Sequence, residues 1–147
     1  MSLRVCVSAV LLAAAAFCAD ASQATSLQGA WQLQSGEFIN KDGVPVAYAS
    51  QKLAGTKVLA DGRFAFTTTS DGKFWAGGSG TYRVDDGRYV ETPLMASYPL
   101  ENGGSYEFRY TLEGDVWTLE RWEGERRVER EVWKRAVPVD TTHAANR

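Results

Sequence analysis

Four Asp-Gly pairs, at Asp42-Gly43, Asp61-Gly62, Asp71-Gly72 and Asp86-Gly87, punctuate the 147-residue chain, and Glu113-Gly114 and Glu123-Gly124 continue the rhythm. Such pairs tolerate the positive φ that tight hairpins require, so each one set between apolar runs reverses the chain into an antiparallel partner. Reversals roughly ten residues apart leave no room for crossover helices, which excludes a parallel α/β fold. The spacing predicts strands at about 29–37, 56–60, 63–69, 74–77, 80–85, 88–93, 105–112, 116–122 and 126–135. One long connection, from Phe38 to Gly55, leaves space for a single helical turn over Tyr48 to Leu53 at one end of the sheet.

Residues opposite one another across a hairpin share a face of the sheet, so the turns also sort the side chains. Turns centred on Asp-Gly set Leu59 against Phe64, Thr68 against Trp75 and Val84 against Tyr89. Glu113-Gly114 sets Tyr110 against Trp117 and Phe108 against Leu119, while Glu123-Gly124 sets Leu119 against Val128 and Trp117 against Arg130. One face then collects Tyr106, Phe108, Tyr110, Leu112, Trp117, Leu119, Val128 and Val132. The other collects charge, including Glu107, Arg109, Glu120, Arg127 and Glu129, together with Trp122 and Trp133. A meander with one apolar face and no helical layer must close on itself or fold into a sandwich, and short connections favour closure. The expected fold is all-β, an antiparallel up-and-down β-barrel of about 8–9 strands.

The amino terminus reads separately from this domain. Arg4 precedes an apolar run from Val5 to Phe17, which leads into Ala19-Asp20-Ala21, the pattern of a cleaved secretory signal. The expected organisation is a signal peptide over 1–21, a barrel domain over 22–136 and a disordered tail over 137–147. Cys18 follows the bulky Phe17, which disfavours lipoprotein cleavage. Cys6 and Cys18 both lie in the signal, so the mature chain has no disulfide, thiolate metal site or cysteine nucleophile. Its stability must come from the core, for which five Phe, six Tyr and five Trp remain once Phe17 is removed. Sixteen basic against eighteen acidic residues leave no cationic surplus for nucleic acid or an anionic membrane surface.

Gly29-Ala30-Trp31 opens the first strand and resembles the Gly-x-Trp signature of lipocalins and related calycin barrels. With the meander turns, the closing strand Val128 to Arg135 and the secretion signal, residues 27–135 are similar to the lipocalin-like domains of small secreted bacterial proteins. The resemblance implies a barrel with a ligand cavity open at one end. It also implies that Trp31 packs at the closed end beneath a basic side chain, for which Arg130, Lys134 and Arg135 are candidates. The chain lacks the disulfide and the long helix after the barrel that are usual in secreted lipocalins, and it is shorter.

Three ionisable residues fall on the apolar face: Glu91 opposite Tyr82, Arg121 near Tyr106, and Arg130 opposite Trp117. Charges inside a barrel must be paired or serve a ligand. The expected ligand-binding residues are Trp75, Tyr82, Glu91, Tyr106, Tyr110, Trp117, Arg121 and Arg130. In that arrangement the guanidiniums grip an anionic group while the rings cover an apolar body. The alternative is a structural ion pair between Glu91 and an Arg, with the other Arg at the barrel mouth. The single histidine, His143, lies in the tail, so no His-based triad or metal site is expected, and no catalytic residue is assigned. Gly77-Gly78-Ser79-Gly80 and Gly103-Gly104 precede no helix and read as bulges or turns rather than phosphate loops.

The sequence thus points to a periplasmic or secreted bacterial binding protein, monomer or weak dimer, holding a small apolar or amphipathic ligand without a cofactor. It would insert in no membrane after signal cleavage. Two other functions fit the same residues. One is a small cofactor-free isomerase or hydrolase using Glu91 with Arg121 and Arg130. The other is a filled barrel acting through an outward patch at Trp122 and Trp133, as an envelope interaction or inhibitor module.

Overall fold

The computed structural model describes residues 26–100 and 104–139; the expected signal peptide, both cysteines, His143 and most of the expected tail lie outside them. Nine strands form one antiparallel sheet: β1 Gly29–Ile39, β2 Pro45–Ala47, β3 Leu53–Ala60, β4 Arg63–Ser70, β5 Lys73–Asp85, β6 Arg88–Ala96, β7 Tyr106–Glu113, β8 Val116–Glu123 and β9 Arg126–Arg135. From β3 to β9 each strand pairs with the next, and β1 pairs with both β3 and β9, so eight strands close a barrel. The short β2 adds to the far end of β1, against Glu37 to Ile39. A 3-10 turn, Tyr48–Gln51, follows β2 where a helical turn was expected. Closure leaves the eight barrel strands without a long open edge, which is how an up-and-down meander satisfies its backbone donors and acceptors.

The Asp-Gly turns form as their chemistry dictates. Asp61 and Gly62 adopt φ of 48° and 72° and join Ala60 directly to its partner Arg63, which fixes the pairs Leu59–Phe64 and Lys57–Phe66. Asp86-Gly87 does the same for Val84–Tyr89 and Tyr82–Glu91. The Glu-Gly turns form one residue later than expected. Glu113 pairs with Val116 and Glu123 with Arg126, so the two-residue loops are Gly114-Asp115 and Gly124-Glu125, with positive φ at the glycine. Glu adopts positive φ less readily than Asp, and glycine takes the first loop position instead, as in a type II′ turn. In β7–β8 the slip is of two residues, so Tyr110 faces Leu119 and Leu112 faces Trp117, and every expected inward residue of these strands stays inward.

The closing strand departs from expectation. Trp122 pairs with Arg127 but Arg121 pairs with Glu129, which leaves Val128 as the extra residue of a β-bulge. An extra residue inverts the alternation of everything after it. Trp133, expected outside, is therefore buried opposite Trp117, and Glu129 and Glu131 turn inward. Arg130 and Val132, expected inside, alternate with them and leave the cavity side; Arg130 joins Glu120 and Arg127 on the outer surface. Val128 is buried at the bulge itself. A second bulge, in β5, pairs Thr68 with Ala76 and Thr69 with Phe74, so Trp75 is the extra residue rather than the partner of Thr68. The two strands expected at 74–77 and 80–85 are one long strand, and its glycine run pairs with Phe64 to Thr67 of β4 and Pro93 to Ala96 of β6.

The interior is divided along the barrel axis. The half at the Asp61-Gly62 and Asp86-Gly87 turns is solid, built from Leu27, Trp31, Leu59, Phe64, Tyr89, Phe108, Trp117, Leu119 and Trp133, with Tyr82, Tyr110 and Leu112 packed against them. Tyr89 meets Trp117 edge-on with centroids 5.0 Å apart, and Trp31 meets Trp117 at 5.3 Å. Each such ring contributes roughly 1.5–3 kcal/mol by leaving water. Trp31 donates its indole N–H to the Leu27 carbonyl, and the Arg135 guanidinium covers its ring at 4.3 Å. Of the three basic residues considered for that position, the structure selects Arg135, which is further fixed by the carbonyls of Ser26 and Gln28.

Candidate functional site

The other half of the barrel is hollow. A cavity of about 330 Å³ lies between the aromatic core and the end that carries the 3-10 turn. Its wall is largely apolar: Phe38, Leu53, Phe66, Trp75, Ala76, Tyr98, Tyr106, Phe108 and Trp133. Its floor is not. Lys57, Glu91, Arg121, Glu129 and Glu131 all face the space, two cations against three carboxyls.

Lys57 sits on β3 two residues before Leu59, on the same inward face, and is 4% exposed. Its ammonium donates to Glu91 Oε1 at 2.7 Å and lies 3.9 Å from Glu131 Oε2. Four rings surround it, those of Phe66, Tyr89, Trp117 and Trp133, with centroids between 5.2 and 5.8 Å from Nζ. Burial opposes the charge, but the carboxylates of Glu91 and Glu131 outweigh it and raise the Lys57 pKa, so the side chain stays an ammonium. Glu91 is closed off on its other flank by the Tyr89 hydroxyl, which donates to the same Oε1 at 2.8 Å. Burial, with Glu91 next to it, raises the Tyr89 pKa and keeps that proton in place.

Glu129 and Glu131, two residues apart on β9, share the Tyr48 hydroxyl. Tyr48 Oη lies 2.9 Å from Glu129 Oε1 and 3.3 Å from Glu131 Oε1, and can donate its one proton to only one of them. Gly36 on β1 admits that ring, because a Cβ there would stand 2.5 Å from Tyr48 Cδ2. Glu129 also accepts from Arg121 Nε at 3.1 Å, and Arg121 extends to Glu123 at the rim. Glu131 accepts from the Trp133 indole at 2.8 Å, and among the described residues its one cationic neighbour is the more distant Lys57. Burial, together with Glu129 and Glu91 and against the pull of Lys57, pushes its pKa up to about 7.

The ligand-binding residues expected from sequence divide into three groups. Trp75, Glu91, Tyr106 and Arg121 line the cavity together. Tyr82, Tyr110 and Trp117 point inward but belong to the solid half. Arg130 lies on the outer surface beside Glu120, so the two guanidiniums do not converge and Glu91, Arg121 and Arg130 form no common centre. The expected outward patch is likewise not assembled, since Trp133 is buried and Trp122 lies beneath the Arg109 guanidinium at 4.8 Å. The structural ion pair of Glu91 exists, but with Lys57 rather than an arginine.

Sequence reasoning missed Lys57, Glu129 and Glu131. Lys57 was legible in principle: it stands two residues before Leu59 and so shares its face. The glutamates were hidden by the bulge at Val128, which no residue type in Arg126 to Arg135 announces. Among the described residues no cluster of His, Cys, Asp and Glu has the arrangement of a metal site. No helix there is long and apolar enough to cross a membrane.

No family model matches the chain, and no curated protein matches it in sequence. A solved structure to which it is similar is Rv2717c from M. tuberculosis, at 17% identity and a TM-score of 0.44, covering 81% of this chain and 99% of that one. A likeness at that level carries nothing about the cavity.

Proposed function

We propose that this is a small-molecule-binding barrel, lipocalin-like in design, that holds an amphipathic ligand with its apolar body against the ring-lined wall and its polar end on the charged floor. The observation that supports this reading is the hollow half itself. A chain with sixteen aromatic residues to bury after its signal fills one half of the barrel and leaves about 330 Å³ in the other. That volume is at the lower end of small-molecule sites, and the combination of an apolar wall with a few convergent polar groups is their usual chemistry. The amino-terminal pattern from Met1 to Ala21, read as a secretory signal, supports a periplasmic or extracellular setting for such a protein.

The test uses a neutral fluorophore, N-phenyl-1-naphthylamine, whose emission rises in an apolar enclosure. Titration is expected to saturate at one molecule per chain. Ala76 lines the cavity, so Ala76→Phe is expected to fill it and abolish the signal while the thermal midpoint holds. A wild-type protein that gives no saturable signal, and carries no small molecule in native mass spectrometry after gentle purification, refutes the reading.

A further inference from the structure

We infer that the cavity is selective for organic ammonium ions, amphiphiles that carry a protonated amine on an apolar body, with Glu131 as the group that receives the amine. This deepens the reading of the cavity as a ligand site and rests on it.

Charge on the floor is unbalanced in one direction. Lys57 is committed to Glu91 at 2.7 Å, and Arg121 to Glu129 at 3.1 Å. Glu131 is the carboxyl left over; among the described residues its one nearby cation is Lys57 at 3.9 Å, already better matched to Glu91. Its donors are incomplete as well, because Tyr48 is 0.4 Å closer to Glu129 than to Glu131 and has one proton to give. A protonated amine supplies what Glu131 lacks, a positive charge and further N–H donors. The space where it would sit is bordered by the rings of the wall, and aromatic faces attract cations. The floor already holds one ammonium on these terms, since Lys57 is caged by four rings and a carboxylate. A carboxylate ligand would meet Glu91, Glu129 and Glu131 with both cations already engaged, and like charges at close range in a desolvated site are strongly unfavourable.

Glu131 must be ionised to serve this role, and every charged neighbour bears on that. Lys57 on β3 favours ionisation; Glu91 on β6 and Glu129 on β9 oppose it. Tyr48 from the 3-10 turn reaches both glutamates, Glu129 more closely, and Arg121 on β8 acts through Glu129. An arriving ammonium adds the missing positive charge, so the proton held by Glu131 leaves to solvent as the amine enters. Ammonium binding is therefore coupled to proton release, and with a group that titrates at about 7 the affinity rises about 25-fold between pH 5.5 and 7.5.

Three ligands of equal chain length, n-octylammonium, 1-octanol and octanoate, test this by displacement of N-phenyl-1-naphthylamine. Octylammonium is expected to displace the fluorophore at least tenfold more tightly than octanol, with octanoate weakest. Glu131→Gln is expected to bring octylammonium to the level of octanol. Calorimetry of the wild-type protein at pH 6, in two buffers of different ionisation enthalpy, is expected to show a proton released with octylammonium and none with octanol, and stands even if the variant does not fold. If octanol or octanoate binds as tightly as octylammonium, if none of the three competes, or if no proton is released, the ammonium assignment is wrong and the cavity remains a binding site. If the fluorophore itself does not bind, the cavity reading fails first.

Discussion

Replacing Glu131 by glutamine should make the protein more stable above neutral pH and remove most of its pH dependence. In the folded state the Glu131 carboxyl titrates at about 7, against an ordinary value of 4.5. A folded state that holds the proton more tightly than the unfolded chain is favoured at low pH, and loses that advantage as pH rises from about 4.5 through about 7. At roughly 1.4 kcal/mol per pH unit the loss amounts to about 3 kcal/mol, with little discount for solvent because the side chain is only 16% exposed. Lys57 does not contribute in this window. Lys57 has a raised pKa, so its stabilisation is fully present below 10.5 and is constant between pH 5 and 8.

For a domain of this size about 3 kcal/mol corresponds to roughly 10 °C in thermal midpoint. Scanning calorimetry at constant ionic strength should show the wild-type midpoint falling by about that amount from pH 5 to pH 8. Glu131→Gln should stay level, since the amide oxygen can still accept from the Trp133 indole and there is no charge to desolvate. The variant should melt above wild type at pH 8. A wild-type midpoint that is flat over this range, or a variant that falls in parallel with it, refutes the account of Glu131 as a carboxyl in excess.

Two further substitutions probe the frame around it. Lys57→Met leaves Glu91, 5% exposed, with no cation, and should cost about 3–5 kcal/mol in equilibrium denaturation. Lys57→Met with Glu91→Gln should recover more than half of that, and simple additivity of the two single losses would show that the pair is not coupled. Gly80→Ala places a Cβ 2.1 Å from the Thr92 carbonyl oxygen and 2.7 Å from Pro93 Cα, at the bulge where β6 crosses β5. Because the obstruction is backbone, the strands must part, and a loss of about 3 kcal/mol is expected as a lower denaturant midpoint.

How far the sequence could be read depended on turn chemistry. Asp61-Gly62 and Asp86-Gly87 fix both loop residues at positive φ, so Leu59–Phe64 and Val84–Tyr89 could be paired without coordinates. The Glu-Gly turns slipped by one residue because glutamate does not readily adopt that conformation, but a slip of two in register preserves the face, and the inward set of β7 and β8 survived it. A bulge does not preserve the face. Val128 and Trp75 each insert one unpaired residue, and neither insertion has a local signal, because a bulge is dictated by the need of the sheet to coil and close rather than by the residue that forms it. The aromatic half of the barrel was therefore legible, and the carboxyls of the cavity floor, which follow Val128, were not. Burial rules added to the error: Val128, Arg130 and Val132 look like an inward set beside Glu129 and Glu131 until Lys57 supplies the charge that lets the glutamates turn in.

That inversion bears on why the cavity exists at all. A buried ion pair seldom stabilises a fold more than apolar side chains of the same volume would, since desolvation offsets most of the attraction. Here Lys57, Glu91 and Glu131 lie directly on Trp117, Trp133 and Tyr89, where larger apolar residues could have continued the packed core upward. Continued packing would have consumed the hollow. Lys57 and Glu91 are already covered by rings, but the Glu131 and Glu129 side chains keep 16% and 24% of their exposure, and closing the wall over them would remove that remaining hydration, which opposes inward collapse. The same layer both caps the core and lines the cavity, so its net charge belongs to the cavity rather than to the packing of the fold. Neutralising Glu131 should relieve a cost to stability and, on the proposed reading, remove the charge that selects an ammonium ligand.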